Sequence, residues 1–310
     1  ILIETEIWPN FLRIASRSHI PVMMMNGRIS DRSMKRYSLI KPVTEKMLDQ
    51  IQKFCMQSAH DAGYIIKMGA RPERVSVIGN TKYDQTYAEV SEKEKQQLRK
   101  EFRFTGSGPI IVAGSTHSGE EEIVMHAFER VLKKYPDAKL LLAIREITRA
   151  ASVKFLIHHF GCSVIRRSEM GTESDDGSAH QIVILDTIGE LGRLYSLADV
   201  VFVGGSFVRV GGHNILEPAA HGKPVLVGPF MFNFKEIFKL LSERGVCIMC
   251  NTPEDFEEEL LALLADRQKM QKMGQVALEV VRENQGATGR NIAAFEKLLA
   301  EYHVQLKGHK

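Results

Sequence analysis

The sequence lacks several features that would assign it to a protein class at once. It has no run of about 18 or more apolar residues, so it predicts no membrane-spanning helix. Its 310 residues include only four cysteines, and their scatter indicates a reducing compartment rather than a disulfide framework. It also lacks a G-x-G-x-x-G motif followed by an acidic residue, which argues against an NAD-dependent oxidoreductase.

A large excess of charge of one sign is missing as well. The formal net charge is +3, which argues against a dedicated nucleic-acid binder, and we expect no nucleic-acid partner. Hydrophobic residues make up 44% of the chain, which is ample for a core. A length of 310 residues then favours two α/β domains of unequal size.

Strand-like apolar runs alternate with helical segments along the chain, which predicts parallel sheets. We predict a first Rossmann-like domain over 1–84, a polar linker over 85–106 and a second Rossmann-like domain over 107–310. Because the chain starts directly with the strand-like run Ile1–Ile3 and has no initiator Met, we expect a fragment whose first domain is truncated.

The end of the chain and one loop complete this prediction. Two helices, at 253–272 and 289–302, are expected after the last strand, and the second could cross back to the first domain. The loop 171–178 contains Asp175 and Asp176, which we interpret as solvated.

The most informative stretch is 204–219, where two glycine pairs follow an apolar strand and a helix begins at Leu216. Bare glycine backbone lets a phosphate approach, the helix N-terminus supplies free N–H groups, and Glu217 can accept bonds from ribose hydroxyls. The alternative is a tight strand-to-helix turn that binds nothing. His, Asn and Glu in one turn favour a nucleotide site.

Three further strand-to-helix junctions carry similar chemistry. Ser115, Thr116 and His117 precede a helix whose N-terminus suits an anion, although Ser118 with the acids that follow it also fits a simple N-cap. Arg145 ends a strand and can pair with phosphate, or with Glu146. The turn after Asp186 can hold a base or ribose, or be a capping box of Thr187 and Glu190. Convergence of these junctions is what a nucleotide-sugar site requires.

In the first domain, Lys82 faces the presumed cleft, where a lysine would neutralise a departing phosphate, unless it is a plain surface lysine. Glu4 and Glu6 form an acid-x-acid pattern that could bind a divalent metal ion, but two glutamates on one face of a strand are weak evidence for a metal site. Cys247 and Cys250 have half-zinc-site spacing without a second pair, so we interpret them as part of a buried strand. We predict no metal site.

Six motifs, in this order, closely resemble bacterial 3-deoxy-D-manno-octulosonic acid (Kdo) transferases of lipopolysaccharide synthesis, and the likeness covers essentially the whole chain. They are Glu4-Thr5-Glu6-Ile7-Trp8-Pro9-Asn10, Asn26-Gly27-Arg28-Ile29-Ser30, Gly79-Asn80-Thr81-Lys82-Tyr83-Asp84, Gly114-Ser115-Thr116-His117-Ser118-Gly119-Glu120-Glu121, Gly211-Gly212-His213-Asn214-Ile215-Leu216-Glu217 and Gly228-Pro229-Phe230-Met231-Phe232-Asn233-Phe234.

The resemblance implies the two-Rossmann architecture called GT-B. It implies inverting, metal-independent transfer of Kdo, without a cofactor, from CMP-Kdo in the C-terminal domain to a lipid A precursor in the N-terminal one, at the cytoplasmic face of the inner membrane. By motif, Glu4 and Lys82 would stabilise the transition state. The residues implied to hold CMP are Ile144, Arg145, Ile188, Gly189, Glu190, Asn214, Ile215, Leu216 and Glu217.

Two departures from the family pattern matter. Family members usually have Pro-Arg-His-Pro-Glu-Arg where this chain has the segment 144–149, so Glu146 replaces an imidazole beside the donor phosphate. Its charge should weaken donor binding unless Arg145 or Arg149 pairs with it. The family's general base is a glutamate that would lie upstream of Ile1, so we expect donor binding with little turnover.

Two other readings stay open from the sequence. One is a different two-domain glycosyltransferase or an epimerase that uses a UDP-sugar, because Glu217 would suit any ribose. The other is a non-catalytic nucleotide-binding module.

Overall fold

Short apolar runs separated by helices form two parallel sheets, one in each of two units. The structure, a computed structural model, describes residues 1–85, 89–172, 175 and 177–308. The first unit is Ile1–Gln85 with the segment from Arg282 onward, and the second unit is Thr86–Val281. The predicted α/β class with two Rossmann-like domains is confirmed.

The first unit has a four-stranded parallel sheet in the order β1-β2-β3-β4. Leu12, Phe54 and Ile65 are fully buried between its helices and sheet. The hydroxyls of Ser30 and Ser58 accept backbone N–H bonds at the starts of two helices. The strands are β1 Leu2–Ile3, β2 Met23–Gly27, β3 Lys53–Met56 and β4 Val75–Val77, and the helices are α1 Pro9–Arg17, α2 Asp31–Ser38, α3 Lys41–Leu48 and α4 Ala59–Lys67.

The second unit has a seven-stranded parallel sheet in the order β11-β10-β9-β5-β6-β8-β7. Its strands are β5 Ile110–Thr116, β6 Lys139–Ile144, β7 Val164–Arg166, β8 Ile182–Leu185, β9 Val200–Val203, β10 Val225–Val227 and β11 Cys247–Met249. Its helices are α5 Glu92–Glu101, α6 Glu120–Lys134, α7 Ala150–His159, α8 Leu191–Leu194, α9 Leu216–Ala220, α10 Lys235–Glu243, α11 Pro253–Ala265 and α12 Arg267–Asn284, which runs past the end of the unit.

The central strands of this sheet are buried on both faces, which is why they read as continuous apolar runs. Phe128 of α6, Leu142 of β6 and Phe256 of α11 belong to one core cluster with Phe202 of β9. From β5 the chain proceeds outward through β6 on one side, whereas β9 and β10 extend the sheet on the other. The strand order therefore reverses between β5 and β9, and the carboxyl ends of these two strands flank a crevice suited to a ligand.

The predicted linker over 85–106 differs from the structure. Residues 89–106 belong to the second unit, and the buried side chains of Leu98, Phe102 and Phe104 anchor α5 there. The guanidinium of Arg167 lies 4.8 Å from the ring centre of Phe102. The high charge of this segment belongs to an amphipathic helix on a core, not to a free connection.

The predicted chain end also differs. Among the described residues, three helices follow β11 instead of two. The helix expected over 253–272 is divided at Asp266, whose carboxylate accepts the Lys269 N–H at 2.9 Å at the start of α12. The last helix, α13 Ala287–Gly308, belongs to the first unit, so it crosses back as the sequence allowed and lies outside the second domain predicted over 107–310. The Asp84 carboxylate accepts the N–H groups of Gly286 and Thr288, each at 2.5 Å, at its start.

The loop acids are only partly described, because Asp176 lies outside the described residues. The prediction that Asp175 is solvated is wrong. Its side chain is buried against Arg103, whose guanidinium donates to both carboxylate oxygens at 2.6 and 2.5 Å. These bonds, with the N–H groups of Gly171 and Gly177, lower the pKa of Asp175.

Across the described residues, every helix is too short or too polar to traverse a bilayer.

Backbone contact at Gly228 gives a stability prediction. A Cβ on this residue would lie 2.5 Å from the carbonyl of Ser206, so Gly228→Ala must displace main chain. We expect the free energy of unfolding to fall by about 1–3 kcal/mol. A Cβ on Gly192, in α8, meets nothing within 4 Å, so Gly192→Ala should change it by less than about 0.5 kcal/mol. Urea unfolding followed by circular dichroism measures the free energy of unfolding of both variants. An equal change in the two variants would contradict the clash at Gly228.

Candidate functional site

The carboxyl edge of the second sheet collects most of the predicted site residues. His117 follows β5, Arg145 follows β6, and Glu190 lies in the turn after β8. The long loop after β9 carries Asn214 and leads to Glu217 in α9. Because all strands are parallel, these loops meet at one edge, on both sides of the reversal between β5 and β9.

The glycine-rich loop after β9 does not leave its first amides open for a phosphate, as the sequence had suggested. The carboxylate of Glu120, whose side chain is completely buried, accepts the N–H groups of Gly205, Ser206 and Phe207 at 2.7, 2.9 and 2.8 Å. It also accepts the N–H of His117 at 2.9 Å. An internal carboxylate therefore fills the place expected for an anionic ligand.

Glycine is required in this loop because the backbones are so close. A Cβ on Gly204 would lie 2.6 Å from the Ser115 carbonyl, and Gly205 has φ +66 and meets the ring of His213. The N–H groups of Gly211 and Gly212 donate to the Gly205 carbonyl at 3.1 and 2.8 Å. The glycines thus build a compact loop, and its later residues face the candidate site.

The strand end at Ser115 and Thr116 is irregular. Ser115 has φ +57, and the pairing with β6 shifts between Gly114 and Thr116, which is a β-bulge of the kind found beside functional sites. Thr116 is fully buried, and its hydroxyl donates to Glu121 at 3.1 Å. The structure therefore places Thr116 in the interior, whereas Ser115 and His117 are partly accessible.

The alternative of a simple N-cap at Ser118 is wrong. α6 begins after Gly119, which has φ +92 and makes no side-chain cap, rather than after Ser118. Glu120 and Glu121, two of the acids in that alternative, are both buried and accept hydrogen bonds from other parts of the unit.

Arg145 is exposed at the end of β6, and within the described residues its guanidinium makes no ion pair. Glu146 beside it is also exposed. Arg149 does not pair with Glu146 but donates to both oxygens of Glu121 at 3.1 and 3.0 Å. Neither arginine pairs with Glu146, so its charge stays next to Arg145. The side chain of Ile144 is buried.

The turn after β8 is held by charges rather than by the alternative capping box. The Glu190 carboxylate accepts from the guanidinium of Arg167 at 3.1 Å and from the hydroxyl of Thr187. α8 begins at Leu191 with Glu190 at its N-cap position, and no side chain caps it. Ile188 is 86% exposed and Gly189 has φ +92, so both stand out of the fold as a ligand-facing turn would.

The start of α9 presents a half-buried carboxylate. Burial raises the pKa of Glu217, and the Asn214 amide, which donates to Glu217 at 3.1 Å, opposes the rise. The Asn214 side chain also accepts the Leu216 N–H at 3.1 Å. The side chains of Ile215 and Leu216 are buried, so only their backbone can reach a ligand. Buried Tyr195 lies near Glu217, and burial followed by that charge raises its pKa.

The sequence predicts no individual role for His213, although this histidine, with Asn214 and Glu217, favours a nucleotide site there. Its Nε2 lies 2.8 Å from Nε2 of His117. His117 follows β5 and His213 follows β9, so the two residues come from opposite sides of the strand-order reversal. Burial, then His117 and Arg145, lower the pKa of His213 to about 4. The pair joins residues 96 positions apart in sequence, so no local pattern could reveal it.

In the first unit, Glu4 follows β1 and Lys82 lies in the 3-10 helix Thr81–Asp84. A network of side-chain amides fixes that turn. Asn26 accepts the Thr81 N–H at 3.1 Å and Asn80 accepts the Lys82 N–H at 2.9 Å. Gln57 links the two, because it accepts from the Asn80 amide and donates to the Asn26 carbonyl, each at 3.0 Å.

Across the residues that the structure describes, no group of three or more His, Cys, Asp or Glu side chains is arranged to hold a metal ion.

Comparison with known proteins decides the family. Residues 1–85 match the family model described as 3-deoxy-D-manno-octulosonic-acid transferase (kdotransferase), and residues 173–280 match glycosyl transferases group 1. A 3-deoxy-D-manno-octulosonic acid transferase from Haemophilus influenzae is 36% identical over 94% of this chain and 67% of its own length. The chain belongs to the 3-deoxy-D-manno-octulosonic acid transferase family. It is therefore a glycosyltransferase, and it spans about two thirds of the length of that relative.

Two solved structures share the fold of this chain, and the name of the first also includes Kdo. The C-terminal CMP-Kdo binding domain of WaaA from Acinetobacter baumannii is 28% identical, with a TM-score of 0.55 over 61% of this chain and 96% of that one. UDP-GlcNAc 2-epimerase from Neisseria meningitidis, bound to UDP-GlcNAc, is 15% identical with a TM-score of 0.58 over 93% of this chain and 72% of that one. At that identity the epimerase shares the fold alone. The fold is the GT-B type implied by the motifs.

The Glu120 carboxylate gives the second prediction. Glu120→Gln leaves one accepting oxygen and turns an NH2 group toward N–H donors, so we expect a loss of about 3 kcal/mol or more in the free energy of unfolding. Glu122→Gln, in the same turn but exposed, should change it by less than about 0.5 kcal/mol. Urea unfolding measures both. Equal stability of the two variants would show that the buried carboxylate is not a structural tie.

The pKa of His213 gives a third prediction. It is about 4 in the fold, against about 6.5 in an unfolded chain. Between these values the unfolded chain binds a proton that the folded chain does not, so the free energy of unfolding falls as pH decreases from 6.5 to 4. In His213→Asn this fall should be shallower, whereas exposed His126→Gln should keep the wild-type slope. Urea unfolding at several pH values measures the slopes, and identical slopes for all three proteins would contradict the shift.

Proposed function

We propose that this protein transfers Kdo from CMP-Kdo to a lipid A precursor in lipopolysaccharide synthesis, with inversion at the anomeric carbon and without a metal or cofactor. Its place of action would be the cytoplasmic face of the inner membrane. The observation that carries the donor half of the proposal is the likeness of the second unit to a CMP-Kdo binding domain, combined with a polar carboxyl edge of its sheet.

The second unit supplies groups suited to each part of the donor. Glu217 is a half-buried carboxylate whose raised pKa reflects lost hydration, and two ribose hydroxyls would replace that hydration by donating to it. Arg145 offers a permanently charged guanidinium for the phosphate at the end of β6. The exposed turn at Ile188 and Gly189 leaves room for the base.

The reaction moves negative charge onto the leaving phosphate. In CMP-Kdo the phosphate is a diester with one charge, whereas released CMP is a monoester that carries close to two at pH 7. Groups that bind the second charge stabilise the transition state more than the ground state. We assign this role to Arg145, with His117 and Ser115. Glu4 and Lys82 of the first unit would stabilise the transition state, as the resemblance implies.

The proposal is tested by titrating the protein with CMP and with UDP in a calorimeter. We expect CMP to bind and UDP to bind at least about tenfold more weakly, since a site shaped for cytosine loses hydrogen bonds to uracil. Tighter binding of UDP would favour the alternative of a UDP-sugar enzyme. Binding of neither nucleotide would overturn the donor assignment. This measurement does not require turnover.

Glu217 gives the fourth prediction. Glu217→Ala removes the carboxylate proposed for the ribose, and we expect CMP affinity to fall about 10- to 100-fold, which is the range for bonds to a charged group. Glu236→Ala, exposed at the start of α10, should bind CMP like the wild type. The calorimeter gives both affinities. Wild-type affinity in Glu217→Ala would remove this residue from the site.

A further inference from the structure

His117 and His213 meet edge to edge rather than face to face. Their ring planes differ by only 3°, and their centroids are 5.1 Å apart, close to the Nε2–Nε2 distance of 2.8 Å extended by the two ring radii. The two nitrogens therefore share one hydrogen atom in a nearly straight bond, in which one ring donates and the other accepts.

The surroundings of this pair constrain its charge. The guanidinium of Arg145, after β6, is close enough to act on His213. The Glu120 carboxylate of α6 accepts the backbone N–H of His117, not a ring N–H. That carboxylate is already engaged by three more N–H groups from the loop after β9. The ring of His213 packs on Gly205, where a Cβ would approach to 2.9 Å. Burial, then His117 and the cation of Arg145, favour the neutral form of His213 by lowering its pKa.

A bound dianion would reverse this balance. The pair lies where the strand order changes between β5 and β9, beside Ser115 and Arg145, which is where the proposed donor phosphate sits. A phosphate with two charges at this place favours the protonated form of a nearby imidazole. When both rings are neutral, the Nδ1 of the ring that donates the shared hydrogen carries no hydrogen of its own, so it can accept a proton while the Nε2 bond persists.

We propose that the His117–His213 pair takes up one proton from solvent when CMP binds as a dianion, and returns it when CMP leaves. The inference rests on the proposed donor site. One N–H bond forms at the outer Nδ1 of one ring, and the imidazolium so formed is stabilised by its neutral partner through the shared hydrogen. The positive charge of the protonated pair then neutralises the second negative charge of the leaving nucleotide where that charge develops. The pair thus supplies a second cation beside the permanent one of Arg145.

The test counts protons. CMP is titrated into the protein at pH 7.5 in two buffers of different ionisation enthalpy, Tris and HEPES, and the difference in heat gives the protons taken up per CMP bound. We expect about one for the wild type and about zero for His213→Asn and His117→Gln. His126→Gln, an exposed histidine on α6, is the matched control and should keep the wild-type value. Cytidine, which lacks the phosphate, should bind without proton uptake.

Each outcome decides something. CMP binding with no proton uptake, or with uptake unchanged in both variants, overturns the pair and leaves the donor site intact. Absence of CMP binding overturns both proposals. Should the variants fail to fold, imidazole nitrogen shifts of the wild-type protein replace them. Conversion of one ring from a neutral to a doubly protonated signal on CMP addition supports the proposal, and unchanged signals overturn it.

Discussion

The candidate site of the second unit depends on one buried carboxylate. Glu120 begins α6 and accepts four backbone N–H groups, from His117 and from Gly205, Ser206 and Phe207. A buried carboxylate without partners would be very costly, whereas charge-assisted bonds from several amides offset its lost hydration. This one group fixes the loops after β5 and β9 against each other, on the two sides of the strand-order reversal. The positions of His117 and His213 follow from it.

The same arrangement explains why a phosphate would bind beside the glycine-rich loop rather than in it. The first amides of the loop already face a negative charge, so a second anion there would be repelled. The guanidinium of Arg145 and the imidazoles of His117 and His213, which can interact favourably with an anion, lie outside these first amides. The loop is therefore a support for the site, and the binding groups come from its later residues and from neighbouring strand ends.

The sequence predicts that the candidate residues of the second unit lie at one edge of a sheet, because parallel strands bring their carboxyl ends to the same edge. It predicts the individual contacts poorly. Glu120 and Glu121 fit the pattern of acids in a first helical turn, where such residues are favourable, and nothing in that pattern indicates that both are buried. The buried carboxylate of Glu121 accepts hydrogen bonds from Thr116 and Arg149. These partners, like His117 with His213, are brought together only by tertiary packing, which local spacing cannot report.

The first unit solves a similar problem with neutral groups. The turn that carries Lys82 is held by the amides of Asn26, Gln57 and Asn80, which fix backbone without adding charge. Asp84, although it lies in the same turn, is engaged at the start of α13, where bonds from Thr288 and Gly286 lower its pKa against the effect of burial. The turn of the first unit is therefore held by neutral amide groups, whereas the loops of the second unit are held by a buried carboxylate.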